Sequence, residues 1–163
     1  KALAHLDAVI KWPNDILIHE KKVAGILTEL GVIQNQVNHL VIGIGINVNL
    51  DVEALPAETR TTATSLKAEF GRVLNRNKLL SELCTRLEEG YVRLLNEGPA
   101  SILAEFRSLT TTLGKKVKVM TPGRTIEGWA EDVDPHGALM LRTEGQTRER
   151  VHSGDVIHLK NSP

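Results

Sequence analysis

Two lysines and an aspartate flank a turn near the start of the chain. The segment KWPND at residues 11–15 combines Pro, Asn and Asp, which is the composition of a turn, and Lys22 begins the next predicted strand. Antiparallel pairing of the flanking strands would bring the ammonium groups of Lys11 and Lys22 close to the carboxylate of Asp15. Two neighbouring cations are costly unless an anion neutralises them, and a phosphate-bearing ligand would do so. Surface lysines are usually only solvated, however, so by itself the lysine pair favours plain surface charges over a ligand site.

A second feature is the glycine-rich strand predicted at residues 40–47. Strand alternation places aliphatic side chains on one face, whereas Gly43, Gly45 and Asn47 share the other face with a valine. Two glycines on one face indicate a flat or bulky group against the backbone, or else a bulge or close packing against a helix. The dinucleotide fingerprint G-x-G-x-x-G does not fit, because Val48 stands at the third glycine position and no helix follows at once.

An antiparallel meander of three or four strands would position these residues. Polar breaks separate the predicted strands, which cover residues 9–10, 16–18, 23–30 and 40–47. Strict alternation then places Lys22 and Gly25 on opposite faces, unless Lys22 still belongs to the turn.

Helices follow the meander, and a β-rich module ends the chain. The predicted helices cover residues 61–70, closed by Gly71, residues 79–95, with Asn77 as the N-cap, and residues 99–109. From Gly114 onward, five short β-type runs separated by turns predict a small SH3-like β-barrel. The predicted fold class is α+β, with a larger domain at residues 1–112 and the barrel at residues 113–163.

Composition limits the possible functions of this chain. It has 163 residues, of which 41% are hydrophobic and 25% are charged, so it can form a folded core. Twenty basic residues balance twenty acidic ones, so no global field attracts nucleic acid or an anionic membrane. The single cysteine, Cys84, indicates a reducing, cytoplasmic setting, and no apolar run approaches the length of a membrane span. The six histidines show no metal-ligand spacing.

Four sequence blocks together resemble the biotin protein ligases. They are KWPND at residues 11–15, KVAGIL at residues 22–27, GIGINVN at residues 43–49 and ATSL at residues 63–66. Their order and approximate spacing are those of the family, which also carries an SH3-like C-terminal domain. The resemblance implies a partial class II synthetase-like catalytic domain with a mixed, mainly antiparallel sheet and helices, followed by that barrel.

The resemblance also implies a reaction in two steps and a role for each matching residue. Biotin and ATP form biotinyl-5′-AMP, which then transfers biotin to a lysine of a biotin carboxyl carrier domain. Lys22 matches the lysine that bridges the biotin carboxylate and the α-phosphate, and Lys11 matches a second phosphate-side lysine. Asp15 matches a carboxylate that binds Mg²⁺ or orients the lysines. The remaining matches are Gly25, Gly43 and Gly45 on the biotin side, and Ile46 and Asn47 on the ATP side.

Three parts of the family pattern are not found in residues 1–10, and a fourth is matched only loosely. The glycine- and arginine-rich biotin loop and a Ser/Thr strand precede KWPND in the family, and residues 1–10 do not contain them. We therefore expect this fragment to lack half of the active site. A family arginine at the nucleotide corresponds loosely to Lys160, and the helix-turn-helix of repressor-type members is absent from residues 1–10, so no DNA binding is implied.

Two alternatives to a biotin ligase stay open at this point. A lipoate ligase of related fold also activates a carboxylate by adenylation. A non-catalytic docking or dimerisation module would use its lysines only as surface charges. A homodimer is compatible with each of these functions.

Overall fold

A computed structural model describes residues 6–34 and 36–159 of the chain. Within that part, contacts between residues divide the chain into two compact units. The first contains residues 6–8 and 14–75, and the second contains residues 9–13 and 76–159. The domain boundary after residue 112 stays a prediction.

The strands, in chain order, are β1 (Val9–Lys11), β2 (Asp15–Ile18), β3 (Lys21–Ile33), β4 (Gln36–Ile46), β5 (Lys116–Thr121), β6 (Arg124–Val133), β7 (Leu139–Arg142), β8 (Arg148–Val151) and β9 (Asp155–His158). The helices are α1 (Ala57–Thr62), α2 (Leu66–Phe70), α3 (Arg76–Glu97) and α4 (Ala100–Leu109).

An antiparallel sheet of β2, β3 and β4 forms the first unit, as the meander pattern predicted. Ile18 and Lys21 pair across a two-residue turn in which His19 and Glu20 have φ of 48° and 63°. Positive φ at both central residues matches the right-handed twist of a hairpin. Beyond the turn, β3 and β4 form a long ribbon whose Leu30 and other distal aliphatic side chains are exposed.

The segment after β4 contains a short 3-10 helix, Val52–Ala54, and then α1 and α2. The prediction of one helix over residues 61–70 is wrong, because residues 63–65 interrupt it. Ala63 and Ser65 have extended backbones, and Ala63 forms a parallel bridge to Lys22 of β3. Pairing with a distant strand therefore overrides the local helical preference. Gly71 closes α2 in the left-handed conformation, as predicted.

In the second unit, α3 and α4 confirm the predicted helices, although α3 begins at Arg76, so Asn77 lies inside it rather than at its N-cap. None of the described α3 side chains is fully buried. None of the helices in residues 6–34 and 36–159 is both long and apolar enough to cross a bilayer.

The five predicted C-terminal strands form an antiparallel sheet in the order β8-β7-β6-β5-β9. The alternating burial of β5, with Val117 and Val119 enclosed and Lys116 and Lys118 partly exposed, shows which face packs on the core. Strands β8 and β9 lie at the ends of this order, so closure into the predicted barrel is not found among the described residues. The core also takes in Trp12, which follows β1 directly and is 3% exposed.

Candidate active site

The strand register brings an aspartate and three glycines onto one face of the first-unit sheet. Asp15 of β2 lies opposite Gly25 of β3, and Gly25 lies opposite Gly45 of β4. Gly43 lies two residues before Gly45, and it therefore shares its face. Directly opposite residues of an antiparallel pair project to the same side, so the Asp15 carboxylate stands beside a nearly bare strip of sheet.

A bulge in β3 sets the direction of Lys22. Ile16 and Leu17 are consecutive in β2, but their partners in β3 are two residues apart, which leaves Val23 as an extra residue. One extra residue reverses the alternation of faces, so Lys22 and Gly25 project to the same side. The expectation from strict alternation is therefore wrong. Lys22 lies within β3 rather than in the turn.

The Lys22 side chain lies over Gly25 and pairs with Asp15. Its Nζ is 2.5 Å from Asp15 Oδ1. A Cβ atom added to Gly25 would stand 3.0 Å from Lys22 Cε and 3.1 Å from Nζ. The Lys22 side chain is 49% exposed, whereas that of Asp15 is 22% exposed. The carboxylate therefore holds an ammonium group that is still accessible to an anion from solvent.

An open cleft of about 440 Å³ lies against this strip, and its lining includes Lys22, Gly25, Gly43 and Gly45. None of these three glycines has a positive φ. A Cβ at Gly43 or Gly45 would meet its nearest described neighbour at 3.6 Å or 3.9 Å, which is ordinary contact. Neither backbone conformation nor helix packing therefore requires glycine at these two positions. The observation favours the ligand interpretation of the bare face over the packing interpretation.

Asn14 also lines the cleft, although its place in KWPND predicts only a turn residue. Its backbone carbonyl accepts a hydrogen bond from the Ile26 N–H at 2.9 Å, and its Nδ2 donates to the Ile26 carbonyl at 2.8 Å. Asn14 therefore fixes the start of β2 against β3. The signal in the sequence was its position directly before Asp15.

The ATSL block supports the two edges of the site. Thr64 N–H donates to the carbonyl of Lys22, and the Asn47 Nδ2 donates to the carbonyl of Thr64 at 3.0 Å. Ser65 is fully buried, and its hydroxyl donates to the Leu50 carbonyl and accepts the Ala68 N–H at the start of α2. This segment connects the lysine strand to the Asn47 end of β4. In the described structure this segment therefore supports the backbone of the site and caps α2.

The other predicted site residues are distributed as follows. Ile46 is half-buried and pairs with Ala24. Lys11 is partly buried in β1 of the second unit, so its part in the site stays a proposal. Lys160 lies outside the described residues.

The predicted magnesium ligand is Asp15. Within the described ranges, no group of three or more His, Cys, Asp and Glu side chains is placed to hold a metal ion. Mg²⁺ is often bound by one or two carboxylates together with substrate phosphates, and a single aspartate fits that pattern. Oδ1 of Asp15 already pairs with Lys22, so its second oxygen would be the protein ligand.

Comparison with known protein families decides the family of the chain. Residues 2–47 match the Biotin/lipoate A/B protein ligase family, and residues 112–159 match the Biotin protein ligase C terminal domain. This chain belongs to the biotin protein ligase family. The first match contains the cleft glycines together with Asp15 and Lys22, and the second contains β5 to β9.

Individual relatives agree with this assignment. The biotin--[acetyl-CoA-carboxylase] ligase of Mycobacterium tuberculosis is 36% identical over 93% of this chain and 53% of that protein. The bifunctional ligase/repressor BirA of Bacillus spizizenii is 33% identical over 96% of this chain and 48% of that protein. This chain spans about half the length of these curated relatives.

A solved structure also supports the fold. The biotin protein ligase of Aquifex aeolicus, in complex with biotin and ATP, is 28% identical, with a TM-score of 0.75 over 92% of this chain and 61% of that chain. The predicted mixed α+β class, with antiparallel sheets and few helices, is confirmed.

Proposed function

We propose that the protein containing this chain is an ATP-dependent ligase that attaches biotin to a lysine of a biotin carboxyl carrier domain. In the first step, a biotin carboxylate oxygen attacks the α-phosphorus of ATP, and the bond to the leaving pyrophosphate breaks. In the second step, the amine of the acceptor lysine attacks the acyl carbon of biotinyl-5′-AMP. AMP leaves, and the amine loses a proton as the amide forms.

The observation that carries this proposal is the Lys22 ammonium, held by Asp15 over the glycine strip. Both reactants of the first step are anions, and their mutual repulsion opposes attack. A fixed ammonium group between them lowers that repulsion, and the negative charge that develops on the phosphoryl oxygens strengthens the contact. Positioning and electrostatic stabilisation supply the rate, so no protein nucleophile is needed.

The other site residues are assigned to biotin, ATP or Mg²⁺. Gly25, Gly43 and Gly45 leave room for a flat ligand against the backbone, and we assign that space to biotin. Ile46 and Asn47, at the end of β4, are assigned to the ATP side. Lys11 is the second phosphate-side cation, and Mg²⁺ bound with Asp15 would neutralise further phosphate charge.

The test is biotin transfer by the intact protein that contains this chain. Incubation with ATP, magnesium and a lysine-bearing carrier domain should label the carrier with biotin, and excess lipoate should not compete. Lipoate transfer in place of biotin transfer would favour the lipoate ligase alternative, which the name of the matched N-terminal family also includes.

Lys22→Ala separates catalysis from docking. We expect adenylate formation to fall by about 10²- to 10³-fold, as when one preorganised charge-stabilising group is removed. Lys21→Ala is the matched control, because Lys21 is the neighbouring lysine of β3 and pairs with Ile18 at the hairpin turn. If the Lys22→Ala protein forms the adenylate at a rate within a few-fold of the parent and still binds the carrier, the result would favour a docking module.

Three further expectations belong to this proposal. The reaction takes place in the cytoplasm, in line with the single cysteine of the chain. The carrier domain is the macromolecular partner. A homodimer of the protein stays a prediction.

A further inference from the structure

The backbone on both sides of Lys11 is held by three consecutive threonines, Thr110–Thr112. The carbonyl of Ile10, which precedes Lys11, accepts hydrogen bonds from the Thr111 N–H at 2.9 Å and from the Thr110 hydroxyl at 3.1 Å. The N–H of Trp12, which follows Lys11, donates to the Thr112 hydroxyl oxygen at 3.0 Å. The peptide planes that determine φ and ψ of Lys11 are therefore both fixed by this segment.

Thr112 is itself rigidly placed. Its side chain has 0% exposure, and its Oγ1 lies 3.3 Å from His158 Nε2 at the end of β9. Trp12 is equally constrained, because its ring lies in the core of the second unit and its Nε1 donates to the Gly137 carbonyl at 3.0 Å. The Thr112 hydroxyl is thus a fixed point from which the Lys11–Trp12 peptide is oriented.

A side chain takes the place of a backbone acceptor here. Ile10 of β1 forms a parallel bridge to Thr110, and the Thr112 hydroxyl extends that hydrogen-bonding pattern past Lys11. Valine has nearly the same shape as threonine but offers no acceptor, so the buried Trp12 N–H would lose its partner. The Thr112 hydroxyl oxygen is thus the atom that holds the N–H of the peptide after Lys11.

We infer that Thr112 is a positioning residue for Lys11, acting through the Trp12 N–H to hold the lysine in the orientation that the adenylation step needs. The inference rests on the proposed function, because it takes Lys11 as the second phosphate-side cation. It adds that the threonine segment before β5 sets the conformation of the lysine in KWPND.

The experiment combines two Thr112 variants with Lys11→Ala in the intact protein. Thr112→Val removes the hydroxyl, whereas Thr112→Ser keeps it. Biotin-dependent ATP–pyrophosphate exchange gives kcat and KM for ATP for each protein. We expect Thr112→Val to lower kcat/KM for ATP by about tenfold or more, because small misplacements of a catalytic group are costly. Thr112→Ser should stay within about threefold of the parent, since it keeps the same hydrogen bond.

The double variant distinguishes positioning from general stability. In the Lys11→Ala background, Thr112→Val should change the exchange rate by less than about twofold, because the group it positions is gone. Thr121→Val is the control for hydroxyl loss in the same unit, since the Thr121 hydroxyl donates to the Arg124 carbonyl at the turn between β5 and β6, and it should not change the rate. Hydrogen exchange of the Trp12 amide should accelerate in Thr112→Val and not in Thr112→Ser.

Three outcomes would overturn the inference. Thr112→Val could leave the exchange rate unchanged, or it could lower the rate equally in both backgrounds, and in both cases the ligase function would still stand. A Lys11→Ala variant with parental activity would remove the role of Lys11 itself, while Lys22 variants would still decide the ligase function. If Thr112→Val does not fold, Thr112→Cys replaces it, because a thiol is a weak acceptor of similar size.

Discussion

Gly25→Ala is the perturbation that tests the geometry of the lysine most sharply. The added Cβ would stand 3.0 Å from Lys22 Cε and 3.5 Å from Asp15 Oδ1. Carbon atoms in contact normally stay about 3.5–4.0 Å apart, so the end of the Lys22 side chain has to move by about 0.5–1 Å. The substitution therefore displaces the ammonium group without changing its charge.

The expected loss of activity follows from that displacement. A shift of about 1 Å in a positioned group can cost about 10²-fold in rate, so we expect adenylate formation to fall by about 10- to 100-fold. Stability should change by less than about 1 kcal/mol. A half-exposed ion pair contributes at most about that much, and alanine in place of a strand glycine recovers a similar amount in chain entropy.

Biotin-dependent ATP–pyrophosphate exchange measures the activity, and thermal unfolding measures the stability. Gly90→Ala is the matched control, because a Cβ at this α3 position meets no described atom within 4 Å, and the variant should keep full activity. In a Lys22→Ala background, Gly25→Ala should add little further loss. A Gly25→Ala protein with the parental exchange rate and the parental melting temperature would refute the proposed position of the lysine.

Three further predictions concern the support of the site and the charges of the second unit. Asn47→Ala removes the 3.0 Å hydrogen bond to the Thr64 carbonyl, and urea unfolding should show a loss of about 1 kcal/mol. Ser65→Ala removes a buried N-cap, and the same assay should show a loss of about 1–2 kcal/mol, against no change for an exposed serine of α3. Arg142, helped by a second arginine, holds the pKa of Glu131 below its ordinary value of 4.5. Stability from Glu131 is therefore present above about pH 4.5 and is lost as the pH falls further. The difference in unfolding free energy between the parent and Glu131→Gln should shrink below that pH, and a difference independent of pH would contradict the prediction.

The sequence was sufficient to predict those elements whose structure is determined by local patterns. Alternating aliphatic residues predicted β3 and β4, leucines at intervals of three and four predicted α3, and turn residues separated the five C-terminal strands. The glycine face of β4 was also predicted, because strand alternation alone places Gly43 and Gly45 together.

The sequence was insufficient to predict those features that arise when distant segments pair or pack together. The bulge at Val23 depends on the register between β2 and β3, and it reverses the side to which Lys22 projects. The interruption at residues 63–65 arises because Thr64 donates to the carbonyl of Lys22. Trp12 follows β1 but packs in the core of the second unit, and no local pattern indicates that.

The central claim is that the Lys22 ammonium binds the carboxylate of biotin above the glycine strip. Its most direct test compares the affinity of the intact protein for biotin with its affinity for biotinol, in which an alcohol replaces the carboxylate. Lys22→Met keeps an unbranched side chain that reaches to the Cε position, and it removes the ammonium group. A charge-assisted hydrogen bond contributes about 1.5–3 kcal/mol, so biotin should bind about 10- to 100-fold more weakly to the variant, while biotinol affinity should change by less than about threefold. Equal changes for both ligands, or none, would contradict the account.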